Sequence, residues 1–79
     1  MEQQELTFGQ KAVGLNFNPS GDDVVGQIKQ KSAEIIDLIE ERHKSIEKPS
    51  WLQNVFRTAA FNAVIAGQMA AVKYITWKE

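Results

Sequence analysis

Apolar residues recur at helical spacing through the middle of the chain. From Asp23 to about Lys44 they come every three or four positions, while charged residues occupy the other side. The stripe and its extensions comprise Val25, Ile28, Ser32, Ile35, Ile36, Leu38, Ile39 and either Arg42 or Ile46. This spacing is typical of an amphipathic helix, which we place at about residues 22–46. Its start lies in the segment Pro19–Asp23, with Ser20 as N-cap and Asp23 at the capping-box position, or with Asp22 as N-cap in the alternative register.

A second helix is predicted at about residues 50–75. Pro49 ends the turn after the first helix and Ser50 is a suitable cap. The helix is apolar around most of its circumference, so it should be covered on more than one side. Small residues keep one side thin; they are Ala59, Ala63, Ala66, Gly67, Ala70 and Ala71. Because the two helices are of similar length, we expect an all-α fold in which they form an antiparallel hairpin.

The N-terminal part of the chain, residues 1–19, reads as an irregular lead-in. Gly9 and Gly14 interrupt it, and its apolar residues show no sustained period. A short helical turn or a short strand remains open there. With 79 residues, lead-in and hairpin together form a single domain.

Size and composition favour an oligomer that binds something. In a chain of 79 residues the free energy gained from apolar burial is about cancelled by the cost of ordering the chain, and an elongated hairpin buries less than a sphere. Contacts with other copies of the chain are the simplest way to bury the additional apolar surface that a stable fold requires. The net charge of -1 argues against a nucleic-acid polymer as partner, and the absence of cysteine and the acidic N-terminal residues favour the cytosol.

One segment needs comparison with a membrane span. Residues 58–72 carry no charge, but a spanning helix requires about 20 apolar residues, and this segment contains Asn62 and Gln68. We therefore expect no membrane and prefer a helix that is buried against protein.

Residues for catalysis are scarce. His43 is the only histidine and lies among charged residues, where a solvated surface position is its ordinary role. Metal ligands are not clustered, and the adjacent pairs Asp22–Asp23 and Glu40–Glu41 point in different directions on a helix. We expect no enzyme activity, no metal and no cofactor.

The segment from Gly14 to Asp22 is better suited to binding. It combines glycine, asparagine and Phe17 immediately before a helix start, where free amides favour an anion and an aromatic ring can stack on a base. Lys29, about two turns into the helix, could neutralise a phosphate. The alternative assigns these residues to the fold: Phe17 as a hydrophobic staple, Asn18 and Ser20 as caps, and Lys29 as a solvated side chain.

Several strings, taken in order, resemble a known family. They are Phe17-Asn18-Pro19-Ser20-Gly21-Asp22, Ile28-Lys29, Ile35-Ile36-Asp37-Leu38 and the tail Gln68 to Trp77. Together they resemble the hairpin domain of bacteriophage anti-CBASS proteins, which anti-Thoeris sponges share. The likeness spans about residues 8–77.

The resemblance implies a sponge for cyclic oligonucleotides. In an infected bacterium such proteins bind the alarm signals of CBASS-type defence without cleaving them, so the signal does not reach its effector. Family members are helical hairpins assembled as homohexamers in the host cytoplasm. Cyclic dinucleotides occupy pockets between protomers, and some members hold cyclic trinucleotides on the threefold axes.

The resemblance also implies site residues. Phe17 would stack on a base and Lys29 would bind a phosphate, while Asn18 and Ser20 belong to the same string and would contact the cyclic dinucleotide. Arg57 and Lys73 are candidates for the trinucleotide pocket, with a salt bridge to the first helix as the alternative for each.

Two departures from the family concern the ligand. Relatives often carry tryptophan where this chain has Ala70, and a small residue where it has Tyr74. The lead-in aligns loosely, so Phe8 and Leu15 compete with Phe17 as the stacking residue. The main alternative function is a helical oligomer that binds a protein through its apolar second helix and has no nucleotide ligand; a small membrane-active helix pair is a third.

Overall fold

The described part of the chain, residues 5–78 of a computed structural model, is all-helical and contains no strand. It comprises α1 (Phe8–Val13), α2 (Asp23–Lys44) and α3 (Trp51–Thr76). The two long helices lie within two residues of their predicted bounds. Within the lead-in, which otherwise forms no regular element between residues 5 and 22, α1 is the short helical possibility that the sequence had left open beside a strand; the part of the lead-in before residue 5 lies outside the described residues.

Helix α1 is short but is capped at both ends. At its start Thr7 and Gln10 form a capping box: Gln10 N donates to Thr7 Oγ1 at 3.1 Å, and Thr7 N donates to Gln10 Oε1 at 2.9 Å. At its end Gly14 adopts the left-handed conformation, with φ of 64°. That conformation is readily available to glycine, so Gly14 ends α1 without strain.

Helix α1 lies directly on the backbone of α2. A Cβ atom at Gly9 would lie 2.1 Å from the carbonyl oxygen of Ala33, so only glycine permits this approach. Gly9 N also donates a 2.7 Å hydrogen bond to Asp37 Oδ1. At the other end of α1, Lys29 Nζ donates to the carbonyl oxygens of Val13 and Gly14. Helix α2 therefore places a carboxylate at the N-terminus of α1 and an ammonium at the C-terminus of α1. This is the arrangement that the dipole of α1 favours.

The start of α2 follows the alternative register. Asp22 is the N-cap and its Oδ1 accepts from Val24 N at 2.8 Å, so the prediction of Ser20 as cap was wrong. Gly21 N donates to Asn18 O and Gly21 has a φ of 66°, which turns the chain just before Asp22. This turn leaves Ser20 two residues before the N-cap position, and its hydroxyl accepts from Asp22 N instead.

The core joins all three helices near the middle of the chain. Val13, Ala33 and Ile36 are buried, with partly buried Ala12, Leu15, Phe61, Val64 and Ile65 packed against them. The buried stripe of α2 is Val25, Lys29, Ala33 and Ile36. Ile35 and Leu38, which the sequence placed on the apolar face, are 48% and 67% exposed because the contacts with α1 and α3 rotate that face toward Lys29 and Ala33.

The molecule is only one helix layer thick. Its dimensions are 47 × 38 × 12 Å, and 12 Å is about the diameter of one helix with its side chains. A single layer leaves apolar residues of α3 uncovered, and Gln68 is the one residue of α3 that is buried. By length and composition α3 could also cross a membrane, with a mean hydropathy of 1.3 in an 18-residue window.

Candidate functional site: a lysine-lined cavity

A cavity of about 680 Å³ lies where α1, the segment before α2 and the C-terminal half of α3 meet. This volume is within the usual range for small-molecule sites. The lining residues are Lys11, Ala12, Val13, Gly14, Phe17, Asn18, Pro19, Ser20, Val25, Lys29, Ile65, Gln68, Met69, Val72, Lys73 and Thr76. All four residues assigned to the cyclic dinucleotide, Phe17, Asn18, Ser20 and Lys29, are among them.

The charge in this cavity has one sign. Lys11, Lys29 and Lys73 contribute to its lining, and no aspartate or glutamate does so. The whole chain has ten acidic residues and a net charge of -1, so the cavity departs from the average of the chain. Most of the remaining lining is apolar. A ligand with flat or apolar parts and negative groups fits such a lining best.

Lys29 is the buried cation of the site. It is 7% exposed, and its Nζ donates to Val13 O at 3.2 Å and to Gly14 O at 3.1 Å. Among the described residues no carboxylate forms a salt bridge with it. An ammonium has three hydrogens, so one donor remains. A buried cation without a counter-ion favours a bound anion.

Phe17 lies beside that cation. Its side chain is 73% exposed, and its ring centroid is 5.7 Å from Lys29 Nζ, within the distance of a cation–π interaction. So large an exposed fraction does not fit a hydrophobic staple. The ring is available to a planar ligand. Phe8, a rival as stacking residue, packs on Phe61 instead, with ring centroids 5.5 Å apart, and does not line the cavity.

Asn18 and Ser20 organise the turn that carries Phe17. Asn18 Nδ2 donates to Asp22 O at 3.1 Å, and Ser20 Oγ donates to Asn18 Oδ1 at 2.7 Å. A Cβ on Gly26 would lie 3.9 Å from Asn18 Nδ2, an ordinary contact distance, so Asn18 lies close to the first turn of α2 without excluding a side chain there. Both side chains border the cavity while they hold the wall in place.

Arg57 and Lys73 lie in different parts of the molecule. Arg57 forms an ion pair with Glu40 of α2 and lies 4.8 Å from the ring of Phe61, which is the salt bridge to the first long helix that was its alternative role. Lys73 lines the cavity and lies 5.6 Å from the ring of Trp77. Sixteen residues of helix separate them, or about 24 Å along the axis, so one chain cannot bring both to one ligand.

Lys11, Gln68 and Met69 are among the lining residues that were not predicted as ligand contacts. Lys11 comes from α1, in a segment where the sequence left a short helical turn and a short strand open. Gln68 and Met69 belong to the tail string and reach the cavity only because α3 packs beside α2. The available signal was a glutamine in the mostly apolar C-terminal half of α3.

Metal chemistry has no candidate site between residues 5 and 78, where no group of three histidine, aspartate or glutamate side chains could hold an ion. His43 is half-buried and lies in a shallow cleft with Phe56 and Arg57, away from the cavity. Comparison with known proteins found no matching family model, no matching curated protein and no matching solved structure.

Proposed function

We propose that this protein binds and sequesters cyclic dinucleotides without cleaving them. In this proposal it is a bacteriophage immune-evasion protein that acts in the cytoplasm of the infected bacterium, where it blocks CBASS-type defence. The observation that carries the proposal is the cavity, which combines an exposed aromatic ring, an apolar wall and three lysines without a carboxylate. Cyclic dinucleotides present planar bases and two phosphates, and so match both parts of this lining.

Each part of the ligand has a partner in this arrangement. Phe17 stacks on one base, since stacking on an aromatic ring is favourable for any base. The free donor of Lys29 binds a phosphate in a charge-assisted hydrogen bond, and Lys11 and Lys73 supply further positive charge at the rim. No step of this mechanism cleaves a bond, so the protein acts as a binder and needs no metal or cofactor.

Assembly is the second part of the proposal. We propose that α2 and α3 form an antiparallel hairpin and that hairpins assemble as a homohexamer without a membrane. The Glu40–Arg57 ion pair supports the hairpin. The single-layer shape supports the assembly, because globular domains ordinarily have two or more layers. The accessible surface of 6363 Å² also exceeds the roughly 4,800 Å² expected for a compact chain of this mass.

We expect the purified protein to form one discrete oligomer in the absence of detergent. Sedimentation equilibrium should give a mass six times the 8.9 kDa of one chain. In such an assembly Arg57 and Lys73 from different chains could meet, which is what a trinucleotide pocket would require. A monodisperse monomer, or a protein that remains soluble only in detergent, would contradict the proposed assembly.

Ligand binding is tested by thermal unfolding with a panel of cyclic dinucleotides. A ligand at a hundred times its dissociation constant stabilises the folded state by about 2.7 kcal/mol, which raises the midpoint by several degrees. Phe17→Ala should reduce this shift and weaken binding by roughly ten- to a hundredfold, since stacking contributes about 1–3 kcal/mol per base. The bound ligand should be recovered intact.

Trp51→Ala is the matched control, because Trp51 is also exposed, at 76%, and does not line the cavity. It should leave the affinity unchanged. Equal affinity of the Phe17→Ala variant would remove Phe17 from the site. A ligand recovered as linear product would replace the sponge by an enzyme.

The alternative is a protein-interaction module, and the exposed apolar surface of α3 favours it. Leu52 and Phe56 at one end, and Met69 and the C-cap residue Trp77 at the other, are each more than half exposed. If no cyclic dinucleotide or trinucleotide shifts the midpoint, the cavity has another occupant and α3 becomes the functional surface.

A further inference from the structure

Gln68 is a buried polar residue that the fold itself does not explain. It is 6% exposed and is the one buried residue of α3, a helix whose other positions are mostly apolar or small. Burying an amide is unfavourable unless its polar atoms form hydrogen bonds. An apolar side chain of similar length would fill the same space at no such cost. The position of Gln68 therefore suggests a partner that is not part of the chain.

The hydrogen bonds of Gln68 are incomplete. Its Nε2 donates to Ile65 O at 3.4 Å, which is longer than an ordinary N–H···O bond. No residue within 5–78 donates a hydrogen bond to its Oε1. Among the described residues, Arg57 Nε is the one fully buried side-chain atom that lacks a hydrogen-bond partner. Gln68 Oε1 lacks a partner too, so it must retain some accessible surface. Gln68 lines the cavity, so the cavity is where a ligand would meet its free polar groups.

The free groups of Gln68 form a pair. One hydrogen of Nε2 bonds Ile65, which leaves its second hydrogen as a donor beside Oε1 as an acceptor. Glutamine pairs in this way with adenine, accepting from N6–H and donating to N7. The same edge of guanine presents two acceptors, O6 and N7, and would leave Oε1 unpaired.

We propose that Gln68 reads the edge of a nucleobase in the cavity and makes the site selective for adenine. This inference rests on the proposed function and assigns its ligand class, a cyclic dinucleotide that contains adenine. Phe17 would contact a base through its face, and Gln68 would contact a base through its edge. Stacking tolerates any base, whereas the amide distinguishes one base from another.

The test is calorimetric binding of cyclic di-AMP, cyclic di-GMP and a cyclic di-AMP analogue in which adenine N7 is replaced by C–H. Wild-type protein should bind cyclic di-AMP more tightly than either of the others, by about tenfold or more. Gln68→Met, which keeps the length of the side chain, should bind all three with similar affinity. Gln27→Met is the control, since Gln27 is exposed on α2 and does not line the cavity.

Thermal unfolding without ligand separates this role from a structural one. If Gln68 serves the ligand, the Gln68→Met variant should unfold at the same temperature as wild type or higher. A lower midpoint would assign Gln68 to the fold and overturn the inference. The comparison of the two adenine ligands on wild-type protein stands even if the variant does not fold.

The outcomes distinguish this inference from the proposed function. Tight binding of cyclic di-AMP that neither the N7 replacement nor Gln68→Met weakens would overturn the inference and leave the sponge intact. A preference for cyclic di-GMP would do the same. Absence of binding to every cyclic dinucleotide would overturn the proposed function, and the inference with it.

Discussion

Gly9→Ala is expected to detach α1 from α2 and to lower the free energy of unfolding by about 2–3 kcal/mol. The new methyl group would stand 2.1 Å from the carbonyl oxygen of Ala33, which belongs to the backbone of α2 and cannot rotate away as a side chain could. Overpacking of this kind typically costs about 1–3 kcal/mol, and movement of α1 would also lengthen the hydrogen bond from Gly9 N to Asp37. Equilibrium unfolding in urea measures the loss, and hydrogen exchange of residues 8–13 locates it.

Gly67→Ala provides the matched control for this prediction. Gly67 lies inside α3, and nothing stands within 4 Å of the point where its Cβ would be. In a helix interior alanine is more favourable than glycine by about 1 kcal/mol, so this variant should be as stable as wild type or slightly more so. If Gly9→Ala proved equally well tolerated, α1 could not lie against α2 as described.

Gly9→Ala should also weaken ligand binding. Lys11, Val13 and Gly14 line the cavity and all belong to α1 or its cap. When α1 detaches, the cavity loses this wall and one of its three lysines. Gly9 thus affects the site although its own nearest neighbours are Ala33 and Asp37, which do not line the cavity.

The two long helices were predictable because their signals are local. Pro49 and Ser50 bound α3, and the apolar period of α2 continues over more than five turns. Helix α1 has only six residues, too few to be stable without support, since helix nucleation is unfavourable. Its stability comes from Asp37 and Lys29, which are distant in sequence. The local clue, the capping pair Thr7 and Gln10, is short and recurs by chance.

The rotation of α2 was not predictable from its own sequence. The pattern favoured a buried face through Ile35, because isoleucine is apolar and lysine is charged. In the structure Lys29 is buried at 7% exposure and Ile35 is 48% exposed. Burial of Lys29 is tolerable only because the carbonyls at the end of α1 accept its hydrogens. A prediction that lacks α1 has no such acceptors and must leave the lysine in solvent.

The residues of the candidate site also fall into two groups: those that a local string identifies and those that only tertiary packing brings together. Phe17, Asn18 and Ser20 are close in sequence and therefore close in space, so a single string identified them together. Gln68 and Lys73 join them only through the packing of α3 beside α2, which periodicity does not specify. Arg57 was grouped with Lys73 by charge alone, and the distance along one helix separates them.

Helix α3 shows how far composition can predict assembly. The sequence indicated that it should be covered on more than one side. Within one chain Gln68 is the buried residue of α3 and Phe61, Val64 and Ile65 are partly buried against the core, while Phe56 and Tyr74 remain 66% and 83% exposed. The composition of α3 thus indicates that the helix needs more burial than a single chain provides. The proposed oligomer follows from that difference.

Lys29→Met is expected to weaken both the fold and the binding of cyclic dinucleotides, and the two effects can be measured separately. The variant removes the donor to Val13 O and Gly14 O, which should lower the free energy of unfolding by about 1–3 kcal/mol. It also removes the proposed charge-assisted hydrogen bond to a phosphate, which should weaken the affinity by about tenfold or more. Calorimetry at a temperature where the variant is folded measures the affinity without interference from unfolding.

Lys31→Met is the control, because it removes the same charge from an exposed position two residues further along α2. It should change neither stability nor affinity by much, so any general effect of net charge is accounted for. A Lys29→Met variant that is less stable but binds cyclic dinucleotides as tightly as wild type would make Lys29 a support of α1 alone. Loss of both, with an affinity lower than that of the Gly9→Ala variant, is the result expected if one ammonium holds the wall of the cavity and also binds the ligand. Its three donors permit this, two for the carbonyls of α1 and one for a phosphate.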